Sequence, residues 1–156
     1  MKLTSTSIKA DQPMHLRFAE PGVGGQNISP QLAWSDAPPE TRSYAVTVYD
    51  PDAPTGSGWW HWLAIDIPSG VASLDEGDPM PEDTVQAPND YGYLGYGGPW
   101  PPPGPAHHYV HTVYALPVES LDIDDETSPA AIRMQLLSKA IDSASITATF
   151  QNPESA

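Results

Sequence analysis

The sequence contains no cysteine. Disulfide frameworks, thiolate catalysis and cysteine-ligated zinc are therefore excluded. Basic side chains are also scarce: 6 lysines and arginines stand against 20 aspartates and glutamates, a formal charge of −14. Such a surface repels polyanions and anionic membranes, so nucleic acid is not an expected partner. Lysine occurs only at Lys2, Lys9 and Lys139, a bias that fits a salt-adapted surface. No apolar run is long enough to span a bilayer, and the opening residues, Met1 to Leu16, lack the apolar core of a secretory leader. A cytoplasmic protein without a transmembrane segment is expected.

Several enzyme signatures are missing as well. The clusters Gly22-Val-Gly-Gly25 and Gly95-Tyr-Gly-Gly98 do not complete a dinucleotide-binding fingerprint, and no glycine-rich loop runs into Lys-Ser or Lys-Thr as a phosphate loop does. Thr55-Gly-Ser-Gly58 lacks the first glycine of a nucleophile elbow, which makes Ser57 a turn residue. No cofactor is expected.

What the chain does have is proline and glycine, 19 and 12 residues, interleaved with short strand-like segments. Its 156 residues suit one domain spanning 1–156. Tyr44-Ala-Val-Thr-Val-Tyr49 alternates with Tyr44, Val46 and Val48 on one face and stops at Asp50-Pro51. Trp59 to Ile67 is apolar on both faces, which predicts an interior strand, and His107 to Leu116 predicts another. Weaker strands are expected over Leu3 to Ile8, Met14 to Arg17, Leu32 to Ser35 and Ser145 to Phe150, with Tyr91 to Leu94 dividing the long stretch between Pro68 and Tyr96. One helix is predicted, with Ser128 as its N-cap, Pro129 at its first position and Ile132, Leu136, Leu137, Ala140 and Ile141 as its apolar stripe.

Chemistry concentrates in three places. In His107-His-Tyr-Val-His111 the spacing imitates a zinc-binding helix, but the surrounding residues predict a strand, on which positions four apart lie about 13 Å from each other. No metal site is expected there. His107 is approached through Gly97-Gly-Pro-Trp-Pro-Pro-Pro-Gly-Pro-Ala106, a stiff loop in which glycine permits close backbone approach and proline fixes the walls. Asp50-Pro-Asp-Ala-Pro54 sets two carboxylates in a turn at a strand end. His61, inside Trp59-Trp-His-Trp62, needs a polar partner if it is buried. Asp50 or Asp52 is the expected partner, and a carboxylate there favours the imidazolium. Protonated His61 facing His107 presents N–H donors to a phosphate or carboxylate.

Taken in order, Asp50-Pro-Asp-Ala-Pro54, Trp60-His-Trp62, Gly97-Gly-Pro-x-Pro-Pro-x-Gly104 and His107-x-Tyr109 resemble the phosphatidylethanolamine-binding protein family, which includes the Raf kinase inhibitor-like proteins. Gly25-Gln-Asn-Ile-Ser-Pro30, Asn89-Asp-Tyr-Gly92 and Val113-Tyr-Ala-Leu116 extend the likeness to the short prokaryotic members and to nearly the whole chain. The resemblance implies a mostly β fold, a β-sandwich of antiparallel-rich sheets with one main peripheral helix. It places a ligand pocket at Asp50, Asp52, His61, Gly97, Pro99, His107 and Tyr109, with a cis Ala53–Pro54 bond. No C-terminal helix follows the last strand, which predicts a shallower, more open pocket. The implied function is binding of phosphate or a phosphorylated head group. Regulation of a kinase or protease is the alternative, a small hydrolase a lesser one, and a homodimer is compatible with the family.

Overall fold

Alternating apolar side chains build the centre of the molecule, and the computed structural model, which describes residues 1–77 and 79–155, shows what each face packs against. Eight strands form: β1 (Lys2–Thr4), β2 (Leu32–Ser35), β3 (Ser43–Asp50), β4 (Trp59–Pro68), β5 (Ser73–Leu74), β6 (Val85–Gln86), β7 (His107–Leu116) and β8 (Asp142–Phe150). Three make a small antiparallel sheet in the order β1-β2-β5, and five make a larger one in the order β6-β4-β3-β7-β8. The single α-helix among the described residues, α1, spans Pro129–Lys139.

The large sheet is covered on both faces, which is why its inner strands read as nearly continuous apolar runs. Tyr44, Val46 and Val48 of β3 pack with Leu32 and Trp34 of β2 and Leu74 of β5, filling the space between the sheets. Ala45, on the other face of β3, joins Leu63, Ile65, Tyr114 and Leu116 against Ile132 and Leu136 of α1. The Ser128 hydroxyl accepts from the Ala131 N–H at 3.1 Å and caps α1, a contact that contributes about 1 kcal/mol. The expected stripe is divided: Ile132 and Leu136 are buried, whereas Leu137 and Ile141 are exposed. Leu137 is rotated one position off the buried ridge, and Ile141 lies past the helix end, where the chain enters β8.

Strands β2, β3, β4 and β7 fall where the sequence predicts them, and β8 begins three residues earlier than expected, at Asp142. Met14 to Arg17 is not a strand. Its place is taken by a 3₁₀ turn at Leu16–Phe18, and the Met14 N–H bonds the Thr149 carbonyl, helping to cover the outer edge of β8. Tyr91 to Leu94 supplies only an isolated bridge between Leu94 and Pro88.

Between the pairs Val48↔Trp62 and Tyr49↔Trp60, β4 uses one residue more than β3, and the extra residue is His61. A β-bulge of this kind bends the strand and re-aims the side chain it carries. Trp60 accordingly faces the helix side, while His61 shares the opposite side with Tyr109.

His111, on β7, is fully buried, its Nδ1 bonded to the Tyr109 carbonyl at 2.9 Å while Nε2 lacks a partner. Burial pushes its pKa down to about 4. The unfolded chain, with a histidine pKa near 6.5, binds this proton first as the pH falls. Folding stability therefore decreases between about pH 6.5 and about pH 4, by up to about 1.4 kcal/mol per pH unit for this group. In urea denaturation across this range, His111→Gln should show a shallower loss of stability than the parent protein; identical slopes would contradict this assignment.

Candidate functional site

Three neighbouring strand segments of the large sheet deliver the site. Asp50 closes β3, His107 opens β7, and the bulged His61 lies near the start of β4. Asp50 and His107 are both buried, and Asp50 Oδ2 meets His107 Nδ1 at 2.7 Å. The other carboxylate oxygen, Oδ1, accepts the Asp52 N–H at 2.7 Å and so caps the turn. Both oxygens are thereby committed, and the His107 ring is fixed with Nε2 as its free nitrogen.

Asp52 goes elsewhere. Its Oδ2 takes the His108 N–H at 2.8 Å and the His108 Nδ1 at 2.7 Å, on the exposed side of β7. Partial burial opposes ionisation of Asp52, but its bonds to the His108 ring and N–H and the nearby His107 hold its carboxyl below the usual range. Alternation along β7 thus separates the two carboxylates, Asp50 inward with His107 and Asp52 outward with His108.

Neither carboxylate hydrogen-bonds to His61, which corrects the expectation drawn from the sequence. His61 Nδ1 donates instead to the Gly97 carbonyl at 2.7 Å, while the Gly97 N–H donates to the His61 carbonyl at 2.8 Å. Burial lowers the His61 pKa, against smaller raising effects of the Gly97 carbonyl and Asp50. The expected imidazolium is therefore replaced by a ring that favours the neutral form with its proton on Nδ1. A Cβ at Gly97 would lie 2.6 Å from Tyr91 Cδ2 and 2.8 Å from the Tyr93 hydroxyl, so this close approach requires glycine. Pro99 lies behind the pocket, its carbonyl accepting the Glu20 N–H at 3.0 Å.

Asp50, His61, His107 and Tyr109 line one cavity of about 330 Å³. Asp52, Gly97 and Pro99 are not among the residues that line it. Tyr109 is buried, packed edge-on to His61 at 5.2 Å, with its hydroxyl unpartnered. Burial raises its pKa, as it does that of Tyr91, so both phenols keep their protons. The rest of the wall includes Trp59 and Tyr91, which the sequence reading did not assign to the site, and Trp100, Pro101 and Pro102 of the loop whose prolines were expected to fix the walls. Trp59 had a signal, since it is two residues from His61. Tyr91 and Trp100 arrive on loops.

The Ala53–Pro54 bond is trans, and no cis peptide occurs among the described residues. The turn closes without one, through Thr55 N–H to the Ala53 carbonyl at 2.8 Å and the Thr55 hydroxyl to Gly58 O at 2.6 Å. Trans is the lower-energy isomer before proline. Beyond β8 no helix follows in the described residues; the tail is tied to the proline loop by Asn152 Nδ2 on the Pro101 carbonyl at 2.9 Å and Gln151 Nε2 on Gly104 O at 2.8 Å. Among the described residues no group of three or more His, Asp or Glu side chains is arranged to hold a metal.

The sequence profile of the phosphatidylethanolamine-binding protein family matches residues 4–151. The chain belongs to that family. It is 43% identical to UPF0098 protein YbhB of Escherichia coli over 96% of this chain and 99% of that protein. Against UPF0098 protein YbcL of the same organism it is 42% identical, over 96% and 87% of the two chains. The crystal structure of YbcL, described as a new member of the mammalian PEBP family, superposes with a TM-score of 0.91, covering 96% of this chain and 97% of that one. A PEBP homologue from Chlamydia trachomatis gives 0.83 at 29% identity, with 96% of each chain covered. The family assignment and the two-sheet, one-helix fold thus agree with the sequence reading.

Removing the Asp50 carboxylate leaves a buried ring nitrogen and the Asp52 N–H without partners. Asp50→Ala should cost roughly 2 to 4 kcal/mol of stability in urea denaturation, and Asp50→Asn should recover a substantial part. Equal stability of Asp50→Ala and the parent would contradict a structural role for this pair.

Proposed function

We propose that the cavity binds a small anion, phosphate or a phosphorylated head group, through the Nε2 edges of His61 and His107. The observation that carries this reading is the pairing of both Nδ1 atoms, with Asp50 at 2.7 Å and with Gly97 O at 2.7 Å, so that each ring has only its opposite nitrogen left for the shared cavity. With Nδ1 directed at Asp50, His107 has Nε2 as its remaining nitrogen towards the cavity. The unpartnered Tyr109 hydroxyl is a further donor on the same wall, and the aromatic and proline side chains suit the organic part of a head group. The family's name accords with a phosphorylated ligand.

No lysine or arginine lines the cavity, and the chain carries a formal charge of −14. The positive charge must then come from protons. His61 already gives its Nδ1 proton to Gly97 and can donate from Nε2 only by gaining a second. A bound anion raises the depressed His61 pKa, so binding takes up a proton. Affinity is constant below the ligand-free pKa of His61 and falls as the pH rises from there to the pKa of the complex.

Titration of the histidine ring signals by NMR with inorganic phosphate and phosphoethanolamine tests the reading. The signals of His61 and His107 should move, and His107→Ala should weaken binding ten- to hundredfold, about the 1.5–3 kcal/mol of a hydrogen bond to a charged group. Dimethyl phosphate, which does not titrate near neutrality, should bind more weakly as the pH rises. Rings that remain unmoved at millimolar ligand, or an affinity for dimethyl phosphate that is flat with pH, would contradict it.

A further inference from the structure

Asn27 lies outside the cavity, yet its side-chain amide holds the backbone that holds His61. Asn27 Oδ1 accepts the Gly98 N–H at 2.7 Å, and Asn27 Nδ2 donates to the Tyr96 carbonyl at 3.1 Å. Those groups belong to the two consecutive peptides that meet at Gly97. On their opposite edges the same two peptides bond His61: the Gly97 N–H gives to the His61 carbonyl at 2.8 Å, and the Gly97 carbonyl takes the His61 Nδ1 proton at 2.7 Å. Each peptide is thus held between Asn27 on one side and His61 on the other. Hydrogen bonds chained through a peptide in this way polarise and strengthen one another.

Asn27 is itself well fixed. Its backbone has φ 53°, a left-handed conformation that asparagine tolerates better than most residues, and its N–H bonds the Ala19 carbonyl at 2.8 Å. Tyr91 and Tyr93 fill the space that a Cβ at Gly97 would need. The side-chain amide, with one donor and one acceptor, matches the two peptide edges; a carboxylate supplies only acceptors and a hydroxyl is too short to bracket both.

We propose that Asn27 is a positioning residue of the pocket: by bracketing Gly97 it fixes the carbonyl that keeps the His61 ring in its Nδ1–H tautomer, with Nε2 left for the ligand. That a ring held with Nδ1 on Gly97 takes its second proton on Nε2, facing an anion, rests on the binding function proposed above; the tautomer itself does not. Asn27→Gly keeps the left-handed backbone without strain and removes the side-chain bonds to Gly98, Tyr96 and the Tyr93 hydroxyl. Asn27→Asp keeps the bond from Gly98 and loses the donor to Tyr96.

The test is ¹⁵N NMR of the His61 ring nitrogens at a pH where the ring is neutral, with thermal unfolding to verify that each variant folds. The parent protein should show a proton on Nδ1 alone. Asn27→Gly should shift both ring nitrogens towards a mixture of tautomers, and Asn27→Asp should do so to a smaller extent. A parent ring protonated on Nε2, or folded variants that retain the parent pattern, would overturn the proposal. If Asn27→Gly does not fold, Asn27→Asp and the parent ring decide it. Inorganic phosphate separates this claim from binding. Mixed tautomers with a phosphate affinity that falls less steeply with pH than the parent's, because a neutral Nε2–H ring donates without gaining a proton, support both claims. Mixed tautomers in a protein whose parent form does not bind phosphate support positioning and remove the anion reading.

Discussion

An imidazole has two nitrogens, and what one is bonded to decides what the other can do. The pocket is built on that constraint. His107 gives Nδ1 to the buried Asp50 carboxylate, and His61 gives Nδ1 to the Gly97 carbonyl. The two fixings are not equivalent. His107 faces a carboxylate, whereas burial against a neutral carbonyl favours the uncharged form of His61. The cavity therefore combines two histidines of different character within aromatic and proline walls, and the packing of both sheets serves to hold the strand ends that carry them.

The anion binding proposed for the cavity has to meet the same constraint. The overall field opposes an anion, and no lysine or arginine lines the cavity. Under the proposed binding, positive charge enters only as protons on the rings, and that proposal couples ligand binding to proton binding. Tyr109 and Tyr91 are held protonated by burial; the Tyr91 hydroxyl donates to the Gly98 carbonyl, and the unpartnered Tyr109 hydroxyl stays as a neutral donor in the wall.

Much of this was legible in the sequence where periodicity speaks. The alternation of Tyr44, Val46 and Val48, the apolar run of β4 and the Ser128-Pro129 helix start each correspond to an element in the structure. The ordered Asp-Pro-Asp-Ala-Pro, Trp-His-Trp and Gly-Gly-Pro motifs led to the family. The partners inside the site were not legible. The bulge at His61 is a register event between two strands, and no single-strand pattern reports it. Asp50 or Asp52 was expected to serve His61, but Asp50 meets His107 and alternation on β7 presents His108 to Asp52. Asn27 and Tyr91 meet the site only because loops distant in sequence pack together. The trans Ala53–Pro54 bond shows the same limit, since the motif points to an isomer that the turn's own hydrogen bonds do not need.

The most direct measurement is a high-resolution crystal structure of the protein grown with phosphate near pH 6. The account predicts tetrahedral density in the cavity within hydrogen-bond distance, about 2.7 to 3.0 Å, of Nε2 of both His61 and His107, with Nδ1 of each ring still on Gly97 O and Asp50. An empty cavity at high phosphate, or phosphate bound only elsewhere on the surface, would contradict it.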